Sequence, residues 1–251
     1  MKPEVKDGAL RVEVLYPEFG YQGGANGNEL YLRACLPGAE FVDTEGDVEP
    51  AFSRGDVSLV VMGGMSEVQV ELVIERLRPY RDRLEELVEA GVPMFFCGNA
   101  GEVLCRKIVH ADGIEVTGLG ILDGVARQMT PRRFNDIFAG VFEPGEGAAP
   151  IKLGGFKSQF TQIEPGSGAQ ALCSVAAGYG HALGSAGEGF RRGNLIATWM
   201  LGPVLAENPP LTRWLLDTAG AAACPLAFED VAMAAYDLRM ADMFKPGMRR
   251  A

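Results

Sequence analysis

The sequence predicts an α/β protein whose mostly parallel sheet is covered by helices on both faces. Three observations carry that reading. Residues 57–62 (Val-Ser-Leu-Val-Val-Met) and 91–97 (Gly-Val-Pro-Met-Phe-Phe-Cys) are short, nearly continuous apolar runs, the pattern of strands buried on both faces. Between them Val73, Leu77, Tyr80, Leu84 and Leu87 recur at 4-3-4-3 spacing, one face of a long helix. Strand, loop, helix, strand and helix in succession is the order of parallel crossover units.

The elements follow in order. Residues 10–16 alternate in polarity and stop at Pro17, a first strand. A Gly-rich loop over 20–28 leads into a short helix from Glu29 to about Cys35, and 40–43 is a weak strand. The strand over 57–62 enters Gly63-Gly64-Met65-Ser66, and Ser66 with Gln69 three residues on reads as a capping box. Beyond the 91–97 strand the pattern turns helical (Ala100, Val103, Leu104, Ile108). The second half is looser. Segments 114–117 and 121–125 bracket Gly118-Leu-Gly, 143–150 is a surface loop, and strand-like pieces lie around Phe156, 171–175 and 195–199. Asn208-Pro-Pro-Leu-Thr starts a helix containing Trp214, and about 228–243 is a last one. No repeat or linker interrupts the 251 residues, so 1–251 reads as one domain.

Composition narrows the function. Net charge is −10, with no block of Lys or Arg, which argues against nucleic acid and anionic membrane as partners. No apolar run approaches the ~18 residues of a membrane span, and the first residues lack the apolar core of a signal peptide. A soluble, cytoplasmic protein without membrane insertion is expected. Five cysteines, an odd number without C-x-x-C spacing, speak against a disulfide framework and against a zinc site. The Gly20–Asn28 loop lacks G-K-[ST] and G-x-G-x-x-G, so no phosphate cradle and no cofactor is read from it, and no metal site is expected. There are only two histidines, His110 and His181.

The chemistry gathers at Cys97-Gly98. A strand running into a tight turn and then a helix makes a nucleophile elbow, which lifts the side chain at its apex off the sheet edge and turns a backbone N–H toward an oxyanion. Cys97 is the nucleophile candidate, and Gly98 with the Gly63-Gly64 loop the candidate N–H donors. The other reading of Cys97 is a small buried hydrophobe, which the preceding Phe-Phe favours. The turn itself favours an exposed thiol. Glu102 and Glu188 read as carboxylates able to pair with a partner's group or, more simply, as solvated surface. His110 reads as a surface residue at a helix C-terminus.

Several segments, taken together, resemble class I (triad-type) glutamine amidotransferases of the cobyric acid synthase branch, and within it the glutaminase subunit of lipid II isoglutaminyl synthase. They are Leu15-Tyr-Pro with Gly27-Asn28, Gly63-Gly64 with Gln69, Cys97-Gly98 and Gly118-Leu-Gly-Ile-Leu-Asp123. Gly155-Phe156, Gly178-Tyr-Gly180 with Glu188-Gly189, and Ala197-Thr-Trp-Met-Leu201-Gly202-Pro203 followed by Asn208-Pro209 complete them. The resemblance runs through nearly the whole chain and rests on the order of the segments. It implies a flavodoxin-like fold, glutamine as ligand and a Mur-ligase-like or other amidating synthetase subunit as partner. It implies Cys97 as the nucleophile position, and Gly63, Gly64, Gly98 and Gln159 as residues of the glutamine site. Amide acceptors of both the peptidoglycan and the cobalamin type fit it.

The departures from the family pattern bear on activity. The family His falls on Leu201, the Gly two residues after the Cys is Asn99, and the Gln at the start of its helix is Gly101. The small residue two before the Cys is Phe95, the E-N-H loop reads Lys157-Ser158-Gln159, and His181 begins the N-N pair. Leucine neither accepts nor donates a proton, and losing such a group costs about 10²–10⁴-fold. Three readings follow. In the first, a diverged subunit lacks standard glutaminase turnover and works with the ligase-like partner. In the second, an active glutaminase passes ammonia to that partner, its base being His181 or a group supplied in trans. The third is a Cys-dependent hydrolase of another specificity.

Overall fold

The structure, a computed structural model, describes residues 10–245. Its centre is a six-stranded sheet built from β1 (Arg11–Leu15), β2 (Glu40–Thr44), β3 (Leu59–Met62), β4 (Met94–Cys97), β13 (Phe190–Arg192) and β14 (Leu195–Thr198). Their order across the sheet is β13-β14-β4-β3-β1-β2. Five strands run parallel, and only β13 is antiparallel, paired to β14. The expected parallel sheet is therefore present.

Both faces of this sheet are buried, and β4 shows it residue by residue. Met94 and Phe96 belong to one hydrophobic cluster, Phe95 and Cys97 to the other. The first cluster is closed by α3 (Glu67–Leu77) and α4 (Arg81–Glu89), and the second by α1 (Asn26–Cys35) and α7 (Pro209–Thr218), while α2 (Ala51–Arg54), α5 (Gly101–Leu104) and α6 (Val204–Glu207) are single turns. Pro79 explains why the single long helix of the sequence reading is two. The chain makes a 3₁₀ turn over Arg78–Tyr80, although the apolar stripe continues through it. At the start of α3 the capping box is formed in both directions: Ser66 Oγ accepts from the Gln69 N–H and the Gln69 side chain accepts from the Ser66 N–H.

The second half departs from a single sheet. Strands β5 (Lys107–Val109), β6 (Glu115–Thr117), β7 (Gly124–Gln128) and β10 (Thr161–Pro165) form a second sheet in the order β10-β7-β5-β6. A third sheet is β12-β11-β8-β9, comprising β8 (Phe134–Phe142), β9 (Ile151–Gln159), β11 (Cys173–Ala177) and β12 (Gly187–Glu188). Its β8–β9 hairpin pairs Phe134 with Gln159 through to Phe142 with Ile151, and the 143–150 loop at its end is largely exposed. An isolated bridge from Lys157 to Met200 ties β9 to the residues after β14. Helix α8 (Glu229–Met243) packs on β9 and matches the expected last helix.

A buried ion pair holds the sheets together where they meet. Lys157 on β9 and Glu188 on β12 have no exposed side-chain surface, with Nζ to Oε1 at 3.4 Å. Glu188 also accepts from Thr198 Oγ1 at 3.1 Å and from the Trp199 N–H at 2.9 Å, and Lys157 Nζ donates to the Gly180 carbonyl at 2.8 Å. Glu188 is thus core, not the solvated carboxylate the sequence suggested. Burial pulls the Lys157 ammonium below its ordinary range, and Glu188 opposes that pull.

Candidate functional site

The turn after β4 is where sequence and structure diverge. Cys97 is extended (φ −129°, ψ 160°) and only 1% exposed, while Gly98 has φ +63°. A left-handed residue at the end of a strand is the apex of a strand–turn–helix elbow, and glycine adopts it without the Cβ penalty. Gly98 is therefore the apex, and the exposed thiol favoured by the turn is not found. Cys97 is the last residue of the strand and, by strand alternation, points with Phe95 into the second core.

The sulfur is held there. Asn28 Nδ2 donates to Cys97 Sγ at 3.2 Å, the backbone N–H of Gly64 points at it, and Asn28 Oδ1 in turn accepts from the Leu205 N–H at 2.8 Å. Burial pushes the thiol up to about 12, and the two donors offset only part of the shift. At pH 7 the sulfur is therefore held as the thiol, not the nucleophilic thiolate.

On the other side of the turn lies a cleft of about 110 Å³. Gly64, Gly98, Gln159 and Leu201, all singled out in the sequence, line it together. Cys97 and Gly63 do not. They line a separate, narrower crevice of about 20 Å³ beside Asn28 and Phe95. Gly63 answers to packing, since a Cβ there would lie 1.9 Å from the Gly20 carbonyl oxygen. Leu201 closes the large cleft against the Gly20–Asn28 loop, and a Cβ on Gly23 would come within 2.8 Å of its Cδ2.

The expected oxyanion donors are already engaged. The Gly98 N–H donates to the Met200 carbonyl at 3.1 Å. The Met65 N–H donates to Asn99 Oδ1 at 2.8 Å, and Asn99 Nδ2 donates back to the Met65 carbonyl at 2.7 Å. A side-chain amide thus sits on the glycine loop in a two-point embrace, which a glycine at position 99 would not make.

His181 does not reach the turn. It is 4% exposed, its Nε2 bonds the Gly189 carbonyl oxygen, and its ring packs on Phe190. It is a core residue, and burial lowers its pKa. His110 follows β5 and not a helix, with Nε2 3.2 Å from Glu71 Oε1. Neither imidazole lines the large cleft.

Glu102 is the residue the sequence undervalued. It is 1% exposed, it lines the cleft, and burial pushes its carboxyl up to about 7, with Trp199, Thr161 and Gln128 opposing and Glu67 reinforcing the shift. Its Oε1 accepts from Trp199 Nε1 at 3.4 Å. Gly101 makes room for that indole, because a Cβ there would touch Trp199 at 3.1 Å. Glu102 Oε2 and Gln159 Oε1 are both buried and without a hydrogen-bond partner. Among the described residues no group of three His, Cys, Asp or Glu side chains is placed to hold a metal. No helix among them is long and apolar enough to cross a membrane.

A central parallel sheet carries a strand–turn–helix elbow after β4, with the Gly63-Gly64 loop facing it. The CobB/CobQ-like glutamine amidotransferase domain matches residues 38–209, and the chain belongs to that family. It is 31% identical over 181 residues, 72% of this chain and 69% of the relative, to the GatD subunit of the glutamine-hydrolysing lipid II isoglutaminyl synthase of Staphylococcus aureus (strain N315). The corresponding GatD subunit of Streptococcus pneumoniae (strain ATCC BAA-255 / R6) is 23% identical over 213 residues, 84% of this chain and 80% of the relative. A crystal structure of a glutamine amidotransferase aligns with 83% of this chain and 98% of its own at 20% identity and a TM-score of 0.52, a likeness of fold.

Proposed function

We propose that this chain is a diverged glutaminase-type subunit that binds in its cleft without hydrolysing glutamine, and that it serves a Mur-ligase-like partner in lipid II amidation. The observation that carries the reading is the occupancy of the elbow. Its apex residue is Gly98, which has no nucleophile, and the position the resemblance gives to the base is Leu201, on the same cleft. Hydrolysis of a carboxamide needs an attacking atom and a proton for the departing ammonia, and neither side chain supplies one. The engaged N–H groups of Met65 and Gly98 add to this, because an oxyanion would find those donors occupied. The link to lipid II amidation and to a ligase partner rests on the two GatD relatives.

Glutamate release from L-glutamine, measured with the protein alone and with its co-purifying partner, tests this. The expected result is release no faster than the buffer blank in both cases. Turnover that disappears in Cys97→Ala would restore Cys97 as nucleophile and sink the silent reading.

A further inference from the structure

The two faces of α8 differ. The inner face is fixed: Tyr236 and Met240 are buried, the Tyr236 hydroxyl donates to the Lys152 carbonyl at 3.0 Å, and the ends of Met240 and Met243 fill the space over Gly154 on β9. At about 100° per residue, Val231, Ala234, Ala235, Leu238 and Ala241 fall on the opposite side, within roughly 120° of the helix circumference. All five are exposed, Val231 and Leu238 by 73% each. Phe228, just before the helix, extends the stripe at 78% exposure. It is held at φ +54°, a left-handed conformation that strains a bulky residue and that glycine would take freely. An apolar stripe on an anchored helix, headed by an aromatic ring on a strained backbone, is a surface shaped for contact.

Charge selects the occupant. Arg239 and Lys245 are turned to Glu207 and Asp242, while Asp230 and Asp237 stay exposed along one edge of the stripe. A second copy of the chain fits poorly. An antiparallel pair of α8 helices lays the Asp230–Asp237 edge against itself, and a parallel pair brings Asp242 against Asp242. An anionic lipid surface meets the same repulsion. We infer that the outer face of α8 docks the ligase-like partner, with Phe228, Val231 and Leu238 entering an apolar groove of that protein whose rim carries Lys or Arg opposite Asp230 and Asp237. The inference rests on the proposed partnership with a ligase. It sets the contact apart from the cleft, which none of these residues lines.

The test titrates the full chain with the purified Mur-ligase-like subunit of the same source, by calorimetry at about 50 and 300 mM NaCl. Expected is a complex that Val231→Asp/Leu238→Asp weakens at least roughly tenfold. Ile114→Asp, at an exposed apolar site in the β5–β6 turn, should leave it unchanged. Asp230→Asn/Asp237→Asn should weaken it by about two- to fivefold at the lower salt and flatten its salt dependence. All these positions are exposed, so the urea midpoints of the variants should match the native one. A complex equally tight with the native chain and with Val231→Asp/Leu238→Asp overturns the docking face and leaves the partnership standing. No complex with the native chain overturns the partnership, and the face with it. A native dimer that Val231→Asp/Leu238→Asp dissociates in sedimentation, or binding to phosphatidylcholine vesicles that the same variant abolishes, gives the stripe to a second copy or to lipid and overturns the assignment.

Discussion

The two sides of the turn after β4 differ by one residue in sequence and by their whole chemistry. On one side Cys97 is buried under Phe95, clamped by Asn28 and Gly64, its thiol pushed up to about 12. On the other, Gly98 forms the apex facing a cleft with Leu201, Glu102 and Gln159. The thiol is on the core side, and the open cleft is on the other. A nucleophile needs a position as well as an element, and the apex φ decides which residue holds it.

The largest effect expected from testing this comparison is a gain. Placing a thiol at the apex, freeing the glycine loop and restoring the base, in the triple variant Gly98→Cys/Asn99→Gly/Leu201→His, should raise glutamate release at least 10²-fold above the blank. Leu201→His alone should stay silent, because it supplies a base with nothing to activate. The apex Cβ would stand 3.0 Å from Gly64 Cα at φ +63°, so the triple variant should lose about 1–2 kcal/mol in urea unfolding.

Next in size is the frame behind the cleft. Lys157→Met leaves Glu188 with neutral donors only, and should cost about 3–5 kcal/mol, read as a shift of the urea midpoint. A loss below ~1 kcal/mol would mean that the sheets are joined by packing without the ion pair.

A pH effect follows from Glu102. Its folded carboxyl is raised from 4.5 to about 7, so the folded state holds the proton longer than the unfolded chain. Stability from this group is full below about pH 4.5 and falls as pH rises toward 7, by up to about 3 kcal/mol. Glu102→Gln should flatten that part of the Tm-against-pH curve, measured by calorimetry at pH 5 and 8. An equal slope in the variant would assign it elsewhere.

The smallest effect sits on the core side. Cys97→Ala should cost only about 1–2 kcal/mol, since it removes one buried atom and leaves Asn28 Nδ2 bare. A thiol reagent on the native protein should modify Cys224, the half-buried cysteine, and reach Cys97 only on unfolding.

The frame of the fold was readable in the sequence, because its strands are short apolar runs and its helices keep period and caps. The Ser66–Gln69 box formed as the residues dictate, and Pro79 broke a helix whose apolar stripe hid the break. The second and third sheets were largely invisible. Their strands owe their pairing to distant partners, as in Thr161 with Gln128, and carry little local pattern. At the site, the order of the motifs picked out Gly64, Gly98, Gln159 and Leu201, which line one cleft. The register of the elbow was not legible, because β4 is buried on both faces and gives no alternation of polarity to show which way Cys97 points. Glycine's preference for a left-handed apex was the one available signal, and it pointed to Gly98. Glu102, Glu188 and His181 read as surface or reactive groups because their burial depends on contacts across sheets that local sequence does not encode.

The most direct test of the turn is to incubate the native chain with an electrophilic diazoketone analogue of glutamine and map any adduct by intact-mass and peptide mass spectrometry. With Gly98 at the apex and Cys97 in the core, no adduct forms on Cys97 in the native protein, while the Gly98→Cys/Asn99→Gly/Leu201→His variant gains one on its new apex thiol. Stoichiometric labelling of Cys97 in the unmodified native protein would contradict this and return the nucleophile to the strand end.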